Sequence, residues 1–310
     1  MIERNGGRVA CQLSGRELEI MKILTIMKSI NGVLRFCAVC IVLACMVSPG
    51  SANAQDLVIL HTNDTHSQIT PQVTGEGKGL GGYERREAYI NQVRKEHKAK
   101  NVLLLDGGDF SQGSPYFSLF KGDVEIELMN ALGYDAVCLG NHEFDNGQKE
   151  LARRIGNANF EFLCANYDFS ESPLNGLVKP YTIVKRAGKR IGIIGLTVNI
   201  KGVVSSKYLK GAQYIHPVKV MNRLALELKN VHKCDLIIVL SHCGFYAGRE
   251  NNPGDEYLAA QSENVDIIIG GHSHTKLEDK VMVKNKLGRD VMIVQDGEKG
   301  EYVGRIDLWF

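Results

Sequence analysis

The sequence predicts an α/β fold in which parallel and antiparallel strands are mixed, and three observations predict it. Short runs such as 56–61, 101–106, 236–240 and 265–269 have an unbroken apolar centre, the signature of strands buried on both faces. Between them lie stretches with a helical period, notably Tyr83 to His97 and Val218 to Lys233. Two β-branched runs, Tyr181 to Lys185 and Arg190 to Thr197, flank Ala187-Gly188 as a hairpin would. At 310 residues, 44% hydrophobic and 23% charged, the chain has the size and balance of one large globular domain or two modest ones.

Residues 1–54 stand apart. Lys22, Lys28 and Arg35 precede the apolar run Phe36 to Val47, Ser48-Pro49-Gly50 breaks it, and Ala52 and Ala54 are small residues where a signal peptidase reads. This predicts a secretory leader cleaved before Gln55, and hence a periplasmic or extracellular location. The run is shorter than the roughly 20 residues that span a bilayer. Val42-Leu43-Ala44-Cys45 loosely matches a lipoprotein box, a minor alternative, and Met21 or Met27 would each start a more ordinary leader. The leader holds six of the 37 Lys/Arg and three of the 35 Asp/Glu, which leaves 31 against 32. A near-neutral remainder offers no electrostatic case for nucleic acid. Cys11, Cys37, Cys40 and Cys45 also belong to the leader, while Cys138, Cys164, Cys234 and Cys243 match no zinc spacing. Cys138 and Cys164 read as buried thiols, and a bridge between Cys234 and Cys243 stays open.

From residue 55 onward one domain is expected, with no repeat or linker dividing 55–310. The strand at 56–61 leads into Asn63-Asp64-Thr65-His66, whose Asp-x-His spacing sets two side chains on one side of an extended segment. A Gly-rich surface loop at 75–82 precedes the helix Tyr83 to His97, with Tyr83, Ile90 and Val93 inward. The strand 101–106 ends in Gly107-Gly108-Asp109, where glycine lets the backbone turn and a carboxylate face back over the strand end. A loop is expected from Ser111 to Lys121 and a helix from Asp123 to Leu132. The apolar run 136–139 then ends in Gly140-Asn141-His142-Glu143-Phe144-Asp145. From that loop Asn141 can ligate a cation, His142 can meet developing negative charge and Asp145 can orient the imidazole.

A helix at Gln148 to Gly156, a strand at Phe160 to Ala165 and the hairpin around Ala187-Gly188 follow. In Val218 to Lys233 the inward stripe is Met221, Leu224, Leu228 and Val231. The strand 236–240 ends in Ser241-His242, and 265–269 ends in Gly270-Gly271-His272-Ser273-His274. Two imidazoles at i and i+2 behind paired glycines are the most specific local signal in the chain. Two hairpin-like runs, 280–283 and 290–294, precede a strand from Tyr302 to Leu308. Each loop alone also reads as a turn or a helix cap. Their coincidence at strand ends, where α/β sheets gather ligands, points to one site. Imidazole, carboxylate and amide together suit borderline divalent ions such as Zn²⁺ or Mn²⁺, and a shared carboxylate suits a pair of them. Two ions about 3.5–4 Å apart clamp an in-line phosphoryl displacement. No Ser or Cys nucleophile with a paired base is evident.

These motifs resemble the calcineurin-like metallophosphoesterases, and within them the 5′-nucleotidase and UDP-sugar hydrolase family. The match is carried by Asp64-Thr65-His66, Gly107-Gly108-Asp109, Gly140-Asn141-His142-Glu143 with Asp145, His242, and Gly271-His272-Ser273-His274. The resemblance implies a four-layer α-β-β-α sandwich with mixed sheets. It implies one metal on Asp64, His66 and His274, a second on Asn141, His242 and His272, and Asp109 bridging them. His142 would be the catalytic histidine with Asp145 behind it, and the reaction an in-line attack of metal-bound hydroxide on a nucleotide phosphoester. A cyclic-nucleotide phosphodiesterase, a nucleotide-sugar pyrophosphatase, a thiosulfohydrolase or a catalytically silent metal-binding subunit are alternatives on the same fold. Family members add a C-terminal nucleotide-binding domain that this chain, ending at Phe310, is expected to lack. A separate nucleoside-binding protein is then the expected partner.

Overall fold

The computed structural model describes residues 57–246, 248–249 and 252–310, so the leader and its cleavage point lie outside the described residues. One five-stranded sheet has the order β15–β1–β2–β3–β4. Its strands are β1 (Leu57–Thr62), β2 (Val102–Asp106), β3 (Ala136–Cys138), β4 (Glu161–Leu163) and β15 (Gly304–Leu308). β1 to β4 run parallel, and β15 closes the edge antiparallel to β1. A six-stranded sheet has the order β13–β14–β12–β9–β7–β6. It contains β6 (Tyr181–Arg186), β7 (Lys189–Thr197), β9 (Leu236–His242), β12 (Ile267–Ile269), β13 (Val281–Lys284) and β14 (Asp290–Val294). Here β7, β9, β12 and β14 are parallel, with an antiparallel hairpin at each edge. Two short ladders complete the strands, β5 (Tyr167–Asp168) with β8 (Gln213–Tyr214) and β10 (Gly248–Arg249) with β11 (Asn252–Pro253).

Side-chain alternation along the strands produces the layers. On β1, Leu57 and Ile59 join a core shared with Ile191, Ile193, Ile238 and Ile267 of the second sheet. Val58 and Leu60 point the other way, into a core with Ile90, Val93, Ile126 and Met129 from α1 (Tyr83–His97) and α3 (Asp123–Leu132). On β9, Ile237 and Val239 face Met221, Leu224, Leu228 and Leu258 of α5 (Pro217–Asn230) and α6 (Asp255–Gln261). The domain is therefore helix, sheet, sheet, helix, with α2 (Pro115–Phe120) and α4 (Gln148–Ile155) beside the first sheet's strand-end loops. Strands buried on both faces show no polar alternation, which is why they appear as unbroken apolar runs.

Several readings of the sequence are corrected or sharpened. The stretch from Ser111 to Lys121 is not all loop: α2 starts at Pro115, and Ser114 caps it by accepting from the Phe117 amide at 3.3 Å. α6 was not anticipated, although Asp255 and Glu256 place two acids in its first turn. Val231 lies past the end of α5 and is exposed. Cys138, Cys164, Cys234 and Cys243 are all free and buried, so no bridge joins the last two. The strand at 160–165 contracts to 161–163, whereas the 187–188 hairpin stands, with φ of 50° at Ala187 and 76° at Gly188.

Candidate metal centre

The parallel strands of both sheets end on one edge of the sandwich, and the loops leaving those ends are bonded to one another. The Asp64 amide donates to the Gly108 carbonyl at 2.9 Å and the His66 amide to the Asp109 carbonyl at 3.0 Å. From the second sheet, His242 Nδ1 lies 2.8 Å from the Gly107 carbonyl, and the His272 amide donates to the Asp64 carboxylate at 2.9 Å. Glycine is needed where the sheets meet. A Cβ at Gly140 would lie 2.0 Å from Asp109 Oδ1, one at Gly107 2.7 Å from the Gly270 carbonyl, and one at Gly271 2.9 Å from His242 Nδ1.

All nine residues singled out in the sequence surround this edge, and six of them form two candidate ion sites. Asp64, His66 and His274 form one group and Asp109, His242 and His272 another, with the ligand atoms of each group within 4.8 Å of one another. The groups adjoin: Asp64 Oδ1 is 3.4 Å from His274 Nε2, 3.8 Å from His66 Nε2 and 3.9 Å from His242 Nε2. Backbone conformation marks the same residues. Asp64, His66, Asp109, His272 and His274 all have φ between 45° and 73°, a region that costs a non-glycine residue roughly 1–3 kcal/mol. Five of the proposed ligands thus sit on strained backbone held by the surrounding bonds.

The donor set fits metal ions. Asn141 is 3% exposed, and its Oδ1 has no hydrogen-bond partner, so a buried acceptor awaits a cation or donor. His66 Nε2 and His274 Nε2 face each other at 3.0 Å, and His242 Nε2 faces Asp109 Oδ2 at 2.9 Å. With His242 Nδ1 donating to Gly107, the second pair brings two lone pairs together unless a proton or a cation lies between them. Burial alone would lower the His242 pKa, but Asp109 and Asp64 raise it to about 10, which shows how strongly the pocket favours positive charge at this point. Burial lowers His66, and lowers His272 to about 4, so both rings present free lone pairs at neutral pH. Asp109 is held below the usual carboxylate range: burial opposes ionisation, and His242 outweighs it.

His142 differs from these rings. Its Nδ1 is 2.8 Å from Asp145 Oδ2, its amide donates to Asp109 Oδ1 at 2.8 Å, and its ring is 5.4 Å from that of His66. Burial opposes protonation, but the Asp145 hydrogen bond and the Asp109 charge raise its pKa. With His66, His274, Gln112, Tyr116 and Lys299 it lines a cavity of about 460 Å³ beside the Asp64–His66–His274 group.

The residues that hold these loops were not legible as such. Glu143, fully buried, accepts from the Gly140 amide at 2.7 Å and the Asp109 amide at 3.0 Å through Oε2, and from Ser111 through Oε1. It ties the β2 loop to the β3 loop. Asp106 accepts from Thr62 at 2.6 Å and the Gly108 amide at 2.9 Å. Gln295 accepts from Ser273 and Thr275 and donates to the Gly271 carbonyl, fixing the His272–His274 turn. Glu143 follows His142 directly, yet nothing in the loop's sequence showed that its carboxylate faces inward.

Known proteins are similar to this chain. The 5′-nucleotidase of Vibrio cholerae is 35% identical over 274 residues, covering 82% of this chain and 49% of that protein. The snake venom 5′-nucleotidase of Gloydius brevicauda is 35% identical over 303 residues, covering 90% and 48%. Among solved structures, the 5′-nucleotidase precursor of Thermus thermophilus superposes with a TM-score of 0.74 at 36% identity, covering 82% of this chain and 51% of that one. The chain thus spans about half the length of the curated relatives it matches. The calcineurin-like phosphoesterase family model matches residues 57–276, a span that begins at β1 and includes every loop of the centre, and on that match the chain belongs to the calcineurin-like phosphoesterase family.

Proposed function

We propose that this chain is a dinuclear-metal phosphoesterase hydrolysing phosphate esters of nucleotides. The observation that carries the reading is the convergence of two adjoining ligand groups beside a cavity lined by His142, whose ring is backed by Asp145. Asp64, His66 and His274 would hold one divalent ion, and Asn141, His242 and His272 the other, with Asp109 as shared carboxylate; Zn²⁺ or Mn²⁺ suits this mixture. Bound there, two ions would polarise the phosphoryl group and lower the pKa of water. The chain's own residues do the rest. Asp145 fixes the His142 ring through Nδ1, favours its protonated form, and leaves Nε2 to meet charge developing on phosphoryl or leaving-group oxygen. All four described cysteines are buried, so none is placed as a covalent nucleophile. The relatives named 5′-nucleotidase support a nucleotide as substrate.

Chelation should abolish hydrolysis of a nucleoside monophosphate, and Zn²⁺ or Mn²⁺ should restore it. A panel of nucleoside monophosphate, cyclic nucleotide, nucleotide-sugar and aryl phosphate sets the preference. Full activity in His142→Ala would defeat the role given to that ring. Two bound ions with no turnover on any substrate would leave a silent metal-binding protein. We further propose that residues 1–54 direct export and that the mature domain begins at Gln55, which sequencing of the secreted product's N-terminus would test. Among the described residues no helix is long and apolar enough to cross a membrane.

A further inference from the structure

We propose that Glu298 is a positioning residue that sets how firmly the outer of the two candidate ion sites holds its ion. The inference rests on reading Asp64, His66 and His274 as an ion site and is independent of the substrate. Both imidazoles of that group turn Nε2 inward, 3.0 Å apart, and Nδ1 away. What stands behind each ring differs across the centre. His242 Nδ1 has the neutral Gly107 carbonyl at 2.8 Å, and His66 Nδ1 is buried without a hydrogen-bond partner. His274 Nδ1 has a carboxylate, Glu298 Oε2, at 3.1 Å. A carboxylate behind a ligating imidazole fixes its tautomer and orientation and strengthens the opposite nitrogen as a donor.

His274 needs that support more than His242 does. The His242 side chain is 0% exposed and packed on all sides, whereas that of His274 is 39% exposed. Glu298 can give it because its own turn is anchored. The Lys299 amide donates to the Asp64 carbonyl at 2.7 Å, Asn63 donates to the Gly297 carbonyl at 2.8 Å, and the Asp296 amide donates to Asn63 at 2.9 Å. The turn that carries Glu298 is thereby bonded to the loop that carries Asp64, so one short segment sets the spacing of two ligands of the same ion. The second carboxylate oxygen of Glu298 lies 2.9 Å from Lys299 Nζ.

The test loads Glu298→Ala, Glu298→Gln and Lys299→Ala with Zn²⁺ and follows the ions lost to a chelator, with no substrate present. The unaltered protein should release its two ions at different rates. In Glu298→Ala the faster ion should be held roughly 10–100-fold less tightly, with the slower one unchanged. Glu298→Gln, which keeps an acceptor in place, should fall between, and Lys299→Ala, which removes the ammonium from the cavity lining but keeps Glu298 behind His274 and the residue 299 amide on Asp64, should release its ions as the unaltered protein does. Retention of both ions by Glu298→Ala would overturn the proposal, as would equal weakening of both. Failure of the phosphoesterase reading would instead show as normal ion release without turnover.

Discussion

Glu143 offers the sharpest test of how the centre is held together. Its carboxylate receives four donors, two on each oxygen: the Gly140 and Asp109 amides on Oε2, and the Ser111 amide and hydroxyl on Oε1. Glu143→Gln keeps size and shape but leaves one acceptor oxygen. Its best placement puts the amide oxygen at Oε2, where the contacts are 2.7 and 3.0 Å, and turns the NH₂ toward Ser111, where they are 3.3 Å. The Ser111 hydroxyl already accepts from Arg154 at 3.1 Å, and the Ser111 amide is left buried facing another donor. An unpaired buried donor costs about 1–3 kcal/mol, which in a domain of this size lowers the melting temperature by roughly 2–4 °C per kcal/mol. Urea unfolding of the metal-loaded protein measures the loss, and turnover of an aryl phosphate measures displacement of the Asp109 and Asn141 loops, where a shift of about 1 Å can cost roughly 10²-fold in rate. An unfolding midpoint and turnover both equal to those of the unaltered protein would show that Glu143 is no staple.

Three further outcomes follow from the same geometry. Asp145→Asn removes the main group that raises the His142 pKa against its burial; kcat should fall roughly 10²-fold, and the alkaline limb of the pH–rate profile, where His142 loses its proton, should move to lower pH. Gly140→Ala sets a Cβ 2.0 Å from Asp109 Oδ1 and 2.6 Å from its amide nitrogen, so it should cost about 1–3 kcal/mol and weaken metal retention, as titration with Zn²⁺ would read. In the metal-free protein, burial raises Asp106 and Glu143 to about 7 and Asp255 to about 8, while carboxylate neighbours raise His242 to about 10. In each case the folded state keeps protons that the unfolded chain has released, so stability should fall as pH rises from about 6.5 to 8; a urea midpoint that rises over that interval would contradict these assignments.

The strand order could not be read from sequence, but the strands of the two large sheets could, because buried parallel strands announce themselves as apolar runs; the two-residue strands β5, β8, β10 and β11 are too short to leave such a run. What was lost has identifiable causes. α2 lies in a stretch rich in Ser, Gly and Pro that reads as loop, although Ser114-Pro115 is a cap followed by a first-turn proline. α1 was placed correctly, but the inward stripe read from it, Tyr83, Ile90 and Val93, left out Arg86. It occupies the same helical stripe as Tyr83, Ile90 and Val93, is 3% exposed, and sets its guanidinium carbon 4.4 Å from the Tyr83 ring centroid. The candidate ligands were legible because each follows a strand, and strand ends share an edge. Glu143, Asp106, Gln295 and Glu298 were not, since their roles depend on which loops meet across two sheets, and period and spacing within one segment carry no trace of that.

The positive-φ backbone ties these observations together. Among the described residues, eleven non-glycine positions have positive φ, and five of them are proposed ligands. Substituting glycine there would relieve the backbone but delete the ligand, so the strain belongs to the placement of an imidazole or carboxylate at a sharp turn. It is borne by bonds between loops: Asp64 to Gly108, His66 to Asp109, His272 to Asp64. These bonds between loops hold the turns with the candidate ligands converged. Pre-organisation of this kind removes the ordering cost from the binding step. It also explains why the supporting carboxylates are buried where their ionisation is costly: Glu143 and Asp106 hold the turns from which the ligands project.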